Sequence, residues 1–245
     1  MRRCIDEVKV ADNLKTVGVS VTSRALAILG AFDAVHSGLS LSELSRRTGL
    51  PLATAHRLIR ELQSWGALSR GLDGRYRIGL RIWELGALTP SRTGLREAAL
   101  PSLLSLLEAS REEVRLVVAD GGDAVCVEHL GARDDRRGTD LRGLRRPLHE
   151  SACGLALLAH RGAGGTAVQR CLPLYRKYGC VVRPGEPRAG RKTVAMPVVG
   201  DDLTAVAAVG LTLPDEAALG HGRELLIAAT AGIQRALSRR RAVAA

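Results

Sequence analysis

Residues 40–66 constrain the fold of this chain more than any other stretch, because they predict two short helices joined by a tight turn. Ser40 and Glu43 form the S-x-x-E pattern of a capping box at the start of the first helix. Gly49 stands where a left-handed residue closes a helix, and Pro51 suits the first turn of the next one. The second helix carries an apolar stripe at helical spacing, formed by Ala55, Leu58, Ile59 and Leu62. The stretch therefore predicts a helix-turn-helix.

The residues that follow predict a β-hairpin, because Asp-Gly at 73–74 is a strong turn signal between two short strands. Strands at 67–70 and 75–78 would extend the unit to a winged helix-turn-helix. Between residues 40 and 81 the chain has eight arginines and only three acidic residues. A short basic outer face on a second helix is typical of contact with DNA in the major groove.

The predicted DNA interface combines the outer face of the second helix with the hairpin. Thr54 and Arg57 would meet base edges or phosphates, and the hairpin would approach the DNA backbone or minor groove. His56 has two open interpretations, a phosphate contact or plain exposure. The alternative for the whole unit is a small three-helix packing module with a solvated charged face. The expected DNA-binding residues are Arg46, Ala53, Thr54, His56, Arg57, Arg60, Gly74 and Arg75.

The order of these patterns predicts an α+β protein with more than one domain. Residues 1–19 show no periodicity, so we expect a flexible N-terminal arm there. We expect the winged helix-turn-helix DNA-binding domain at residues 20–79, a linker helix and boundary at 80–95, and a second domain at 96–245.

Apolar periodicity places the remaining elements. A support helix is expected from Thr22 or Ser23 to about His36, and the pattern breaks at 89–94 before the next helix. From residue 113 the period changes to two, which indicates strands. The expected strands are 114–118, 124–128, 180–183, 193–196 and 205–213. The expected helices are about 95–109, 151–160, a short helix within 166–178, and about 222–240. A basic loop is expected at 131–146.

Composition narrows the function classes. The formal net charge of +11 permits a polyanionic partner. The sequence has no apolar run long enough for a membrane span and no signal-peptide pattern, so we expect a cytoplasmic protein with five reduced cysteines and no membrane contact. The stretch 185–193 approaches a P-loop, but Arg191 breaks its Gly-Lys-Ser/Thr register. We expect no cofactor, no metal and no catalytic residues.

Taken as an ordered set, these motifs resemble the IclR (isocitrate lyase regulator) family of bacterial transcription factors over about residues 21–237. The resemblance is carried in the first domain by SRALAILGAF, LSLSELSRRTGLPLATAHRLIRELQSWG and GRYRIGLRIWELG. In the second domain it is carried by RPLHESACGLALLAH, EPRAGRKTVAMPV and AVAAVGLTLP. It implies a winged helix, a linker helix used in dimerisation, and a C-terminal GAF-like α/β domain that binds a small effector. It also implies dimers, often paired into tetramers, on operators near promoters.

The resemblance also implies where the effector binds. Arg183 stands where the family commonly has an acidic residue, Thr193 replaces a common cysteine, and Gly210-Leu211-Thr212 replaces a Ser-x-Ser. A fixed cation with hydroxyls would suit a carboxylate or another anion, whereas the alternative is that Arg183 points to solvent from a strand edge. The implied effector-binding residues are Cys153, Gly154, Leu155, Arg183, Thr193, Gly210 and Thr212.

We therefore expect a non-enzymatic, ligand-responsive transcriptional regulator, acting as a repressor. Its expected partners are a palindromic double-stranded DNA operator, a small anionic organic acid and further copies of itself, as a homodimer or tetramer at the bacterial nucleoid. Two other classes compete with this interpretation: an architectural DNA-binding protein without a ligand, and an enzyme with a DNA-binding appendix. No paired carboxylates, metal cluster or triad spacing in the sequence supports the enzyme.

Overall fold

The chain divides into two compact units, Met1–Pro90 and Ser91–Ala245. The predicted N-terminal arm, residues 1–19, lies outside the part of the chain that the structure describes. The domain limits expected from the sequence stay predictions. The structure is a computed structural model that describes residues 20–33, 36–88, 90–131, 141–162, 164–184, 190–214 and 219–244.

The described part of the first unit is a winged helix-turn-helix. Its apolar core joins the first three of its four helices to the hairpin through Ile28, Leu44, Ile59 and Tyr76, which are each at most 4% exposed. Its elements are α1 (Val21–Leu29), α2 (Leu41–Thr48), α3 (Leu52–Ser64), β1 (Leu68–Arg70), β2 (Tyr76–Ile78) and α4 (Leu80–Ala87).

The predicted capping box at the start of α2 is confirmed. The backbone N–H of Glu43 donates to Ser40 Oγ at 3.3 Å, and the Ser40 N–H donates to Glu43 Oε2 at 2.7 Å. Gly49 closes α2 at φ +69°, and Gly74 takes φ +75° in the hairpin turn, both in the region that favours glycine. The capping box and the two glycines therefore place the turn and the wing where the sequence predicted them.

Helix α1 is shorter than the sequence predicted. It starts after an N-cap at Ser20 rather than Thr22 or Ser23, and it ends at Leu29 rather than near His36. The carboxylate of Asp33 accepts a 2.7 Å bond from the His36 N–H and pairs with Arg47 at 2.7 Å. Such a local side-chain bond competes with the helical backbone bonds, which explains the early end.

The second unit is a six-stranded antiparallel sheet in the order β5-β4-β3-β8-β7-β6, flanked by helices. The expected α+β class is thereby confirmed. Its elements are α5 (Pro90–Ser110), β3 (Glu113–Asp120), β4 (Asp123–Leu130), β5 (Arg145–Pro147), a 3-10 turn (Leu148–Glu150), α6 (Ala152–His160), α7 (Thr166–Tyr178), β6 (Val181–Pro184), β7 (Lys192–Val199), β8 (Ala205–Leu213) and α8 (Leu219–Ala244).

Both faces of this sheet are covered. On one face, Leu103 of α5 and Ile233 of α8 pack in a core with Leu116 of β3. On the other face, Leu157 of α6 packs in a second core with Ala208 of β8. This double burial explains why β8 is apolar along almost its whole length.

Several boundaries differ from the sequence prediction, among them the ends of β3, β7 and α8, the start of α5 and the strand β5. Helix α5 begins at Pro90 instead of about Leu95, because proline is tolerated in the first turn of a helix. Strand β5 begins within the last two residues of the expected loop at 131–146 and pairs with β4 through Ala124 and Arg146. Its three residues carry no alternation long enough to signal a strand.

Candidate DNA interface and effector cavity

Helix α3 presents two chemically distinct sides. Ala55, Leu58 and Ile59 are each at most 3% exposed and pack into the core of the first unit, as their spacing predicted. The predicted DNA-binding residues lie on the other side: Ala53, His56, Arg57 and Arg60 are exposed, and Thr54 is half-buried. The outer face of α3 is therefore available to a partner.

The arginines of this face keep their hydrogen-bond donors available. Among the residues that the structure describes, neither Arg57 nor Arg60 forms a hydrogen bond or an ion pair, and the same holds for Arg46 on α2. His56, Arg57 and Arg60 line a shallow groove along α3. A guanidinium in this state offers a planar fork of donors to a phosphate or to a guanine edge.

The wing arginines are held within the unit instead. Arg75 donates from Nη1 to Glu43 Oε2 and to the Gly38 carbonyl, both at 2.9 Å. Arg77 pairs with Asp73 at 2.5 Å, and this hydrogen bond lowers the pKa of Asp73 from 3.8 to about 2. The two predicted wing contacts, Gly74 and Arg75, lie on the hairpin, and Arg75 is 45% exposed on its side chain. Their contact with DNA stays a prediction.

The second unit contains a cavity between the sheet and the start of α6. The space between its walls is about 590 Å³ when the open solvent at its mouth is included, so this figure is an upper limit for the volume that a ligand could fill. Arg115, Arg146 and Arg183 line it, and none of its described lining residues is acidic. Most of the remaining lining is apolar, which suits a small organic molecule with a polar end. The other lining residues are Val117, Ala124, Cys126, Leu141, Leu144, Ser151, Ala152, Cys153, Pro184 and Thr193.

Three of the expected effector-binding residues line this cavity: Cys153, Arg183 and Thr193. Arg183 lies on β6 directly across from Thr193 of β7 and donates from Nη1 to the His149 carbonyl at 3.1 Å. The side chain of Ser151 caps α6 by accepting the Gly154 N–H at 2.9 Å. The start of α6, with its partial positive charge, therefore faces the same cavity as Arg183.

The other expected effector-binding residues lie outside the lining. A Cβ on Gly154 would come within 2.1 Å of the Leu148 carbonyl oxygen, so packing against the 3-10 turn requires glycine there. Leu155 is 3% exposed in the core under α6. A Cβ on Gly210 would come within 2.6 Å of Cys153 Sγ. Thr212 is fully buried. A role for these four in effector binding stays a prediction.

No helix in the described ranges has the length and apolar character that crossing a membrane requires. The same ranges contain no group of three or more His, Cys, Asp or Glu side chains arranged to hold a metal.

Two models of one protein family match the chain. The model for the IclR helix-turn-helix domain matches residues 21–71, and the model for the bacterial transcriptional regulator IclR C-terminal domain matches residues 88–166. Together they match more than half of the chain. The chain belongs to the IclR family. It is thus a DNA-binding transcriptional regulator with a C-terminal effector-binding domain, and not an enzyme.

Curated IclR-family regulators support this placement. The chain is 34% identical over 137 residues to the HTH-type transcriptional regulator KipR of Bacillus subtilis, covering 56% of this chain and 54% of KipR. The chain thus spans about half the length of that relative. It is 26% identical over 245 residues to XynR of Escherichia coli, covering 89% of this chain and 97% of XynR.

A solved IclR structure has the same fold. The IclR homologue of Microbacterium hydrocarbonoxydans, crystallised in complex with 4-hydroxybenzoate, superposes with a TM-score of 0.79 at 28% identity. The match covers 90% of this chain and 100% of the homologue.

Arg115 is one of the cavity residues of this IclR-family chain that were not predicted from the sequence. Its side chain is only 12% exposed, and its Nη2 donates to Thr212 Oγ1 at 2.9 Å and to Thr193 Oγ1 at 3.3 Å. Alternation along β3 was the available signal, because Val114 and Leu116 are both buried on the opposite face.

Proposed function

We propose that this IclR-family regulator binds a palindromic operator through the outer face of α3. The observation that carries the proposal is the exposure of Arg57 and Arg60, whose guanidinium groups have no partner among the described residues while the opposite side of α3 is buried. Thr54 and Arg57 would reach base edges, and Arg46 and Arg60 would bind phosphates. The wing would lie along the backbone.

We propose a homodimer, able to pair into a tetramer, as the DNA-binding form. On α4, Leu80 and Trp83 are each 69% exposed, and Leu88 just beyond it is 73% exposed. An apolar strip of this kind costs free energy in water, and a second copy of the same strip would cover it. A dimer would place two α3 helices about 34 Å apart, one turn of DNA.

We propose a small organic acid as the effector, bound in the cavity of the second unit. Arg183 supplies a cation, Thr193 a hydroxyl and the start of α6 further backbone donors, while the remaining wall is largely apolar. That the Microbacterium homologue was crystallised with 4-hydroxybenzoate, an acid with an apolar ring, favours the same ligand class here.

The effector would act by shifting the population of DNA-competent dimers, because it stabilises one of two conformations of the second unit. Helices α4 and α5 follow one another in the chain between the two binding sites, and would carry that change. A dimer on an operator near a promoter would block polymerase, so we propose a repressor that acts at the bacterial nucleoid.

The test uses a duplex that the full-length protein selects from a random DNA pool. Fluorescence anisotropy on this duplex is then repeated with a panel of small acids, including propanoate, benzoate and 4-hydroxybenzoate. We expect one acid to change the affinity for the duplex by about fivefold or more, the lower end of allosteric coupling. A sequence-independent affinity, unchanged by every acid, would instead indicate an architectural DNA-binding protein.

A further inference from the structure

We propose that Arg115 is the residue that makes the cavity selective for a carboxylate over a neutral group. The inference rests on the proposed effector function and adds the residue that discriminates between ligands. Arg115 lies on β3, inside the sheet, directly across from Gly210 of β8 and His129 of β4. It lines the cavity although its side chain is only 12% exposed.

The guanidinium of Arg115 is held in place before any ligand arrives. Its Nε lies 3.1 Å from Glu113 Oε1, and its Nη2 donates to the hydroxyls of Thr193 and Thr212. Both threonines are at most 3% exposed, so these partners have little freedom. Such an arginine loses little side-chain entropy when it binds an anion.

Glu113 is the positioning residue in this arrangement. Its Oε1 also lies 3.3 Å from His129 Nε2, and His129 Nδ1 accepts the Leu141 N–H at 3.3 Å. The carboxylate thereby adds a third contact to the two threonine hydroxyls that hold Arg115, and it balances the charge of the guanidinium. A buried arginine without such a partner would be costly.

Arg183 differs from Arg115 in its surroundings. It lies on edge strand β6 and reaches the carbonyl of His149, whose side chain is 63% exposed. Solvent screens a charge at such a position, so Arg183 would strengthen anion binding with less discrimination. The buried Arg115 would lose a strong bond whenever a neutral group replaced the carboxylate.

The experiment measures calorimetric binding of matched acid and amide pairs to the full-length protein. The probes are propanoate with propanamide, benzoate with benzamide, and 4-hydroxybenzoate with its amide. The variants are Arg115→Met, Arg115→Lys and the matched control Arg183→Met. The single variant Glu113→Gln tests whether the carboxylate positions Arg115. The double variant Glu113→Gln/Arg115→Met removes both charges, so that no unpaired carboxylate threatens folding.

For the wild type we expect the acid to bind at least about tenfold more tightly than its amide, since a site built for one hydrogen-bonding group rejects its analogue. The double variant should bring this ratio close to one, Arg183→Met should keep most of it, and Glu113→Gln and Arg115→Lys should fall between. An unchanged ratio in the double variant, or equal binding of acid and amide by the wild type, overturns the role of Arg115. If the wild type binds none of the probes, the proposed effector function itself fails.

Discussion

Arg75 of the wing donates a 2.9 Å bond to Oε2 of Glu43, the same carboxylate oxygen that accepts the Ser40 N–H in the capping box of α2. The backbone bond from Ser40 is the main reason that the pKa of Glu43 lies below its ordinary value, and the charge of Arg75 adds to it. One side chain thus fixes both the start of α2 and the position of the wing.

Replacing Glu43 should therefore loosen two elements at once. Glu43→Ala removes both bonds, whereas Glu43→Gln keeps an acceptor for the Ser40 N–H and loses the charge that holds Arg75. We expect faster amide hydrogen exchange in α2 and in β2 for Glu43→Ala, and faster exchange mainly in β2 for Glu43→Gln. Equal exchange in both variants and the wild type would show that the shared carboxylate has no structural role.

The ion pair between Asp73 and Arg77 predicts an acid-sensitive wing. The pKa of Asp73 is depressed from 3.8 to about 2, so the pair contributes stability above pH 3.8, and that contribution is lost as the pH falls through about 2. A carboxyl titration by NMR should give a midpoint near 2 in the wild type. In Arg77→Met the midpoint should rise toward about 3.9, the value of an unperturbed aspartate. Equal midpoints in the two proteins would rule out the pair.

Gly154 should tolerate no side chain. An added Cβ would come within 2.1 Å of a backbone oxygen, that of Leu148, which cannot rotate away. We expect Gly154→Ala to lower the free energy of unfolding of the second unit by about 1–3 kcal/mol, the cost of overpacking. The matched control is Gly220→Ala in α8, where a Cβ meets nothing within 4 Å. It should be neutral or stabilising by up to about 1 kcal/mol. Urea unfolding compares the two.

The apolar strip on α4 predicts a defined change in oligomeric state. Trp83→Glu places a charge at the centre of the proposed interface, where it would lose hydration without gaining a partner. Sedimentation velocity should show smaller species than for the wild type. Leu203→Glu is the control, because Leu203 is 79% exposed in a turn of the other unit and should leave assembly unchanged. An unaltered assembly in Trp83→Glu would place the interface elsewhere.

The features of this structure that the sequence predicted depend on residues that are close together in the chain. The capping box spans four residues and the stripe on α3 recurs within two turns, so both can be identified from the sequence alone. The cavity depends instead on residues that are far apart in the chain. Arg115 and Thr212 are 97 positions apart, and Arg115 and Thr193 are 78 positions apart. Only the pairing of β3, β8 and β7 brings them together, and no local pattern encodes it.

The early end of α1 also depends on a contact with a residue that is distant in the chain. The bonds of Asp33 to His36 and Arg47 depend in part on where α2 lies, so apolar periodicity alone extended the helix too far.

Binding of DNA by the outer face of α3 is tested by the affinity for the selected duplex as a function of salt. The proteins compared are the wild type, Arg57→Ala, Arg60→Ala and the control Arg176→Ala, an equal charge change at an exposed position of α7. We predict that Arg57→Ala loses about 1–3 kcal/mol of binding free energy if it contacts a guanine. Arg60→Ala should reduce the salt slope by about one if it contacts a phosphate. Arg176→Ala should match the wild type. If all four proteins bind with the same affinity and the same salt slope, the DNA interface does not lie on α3.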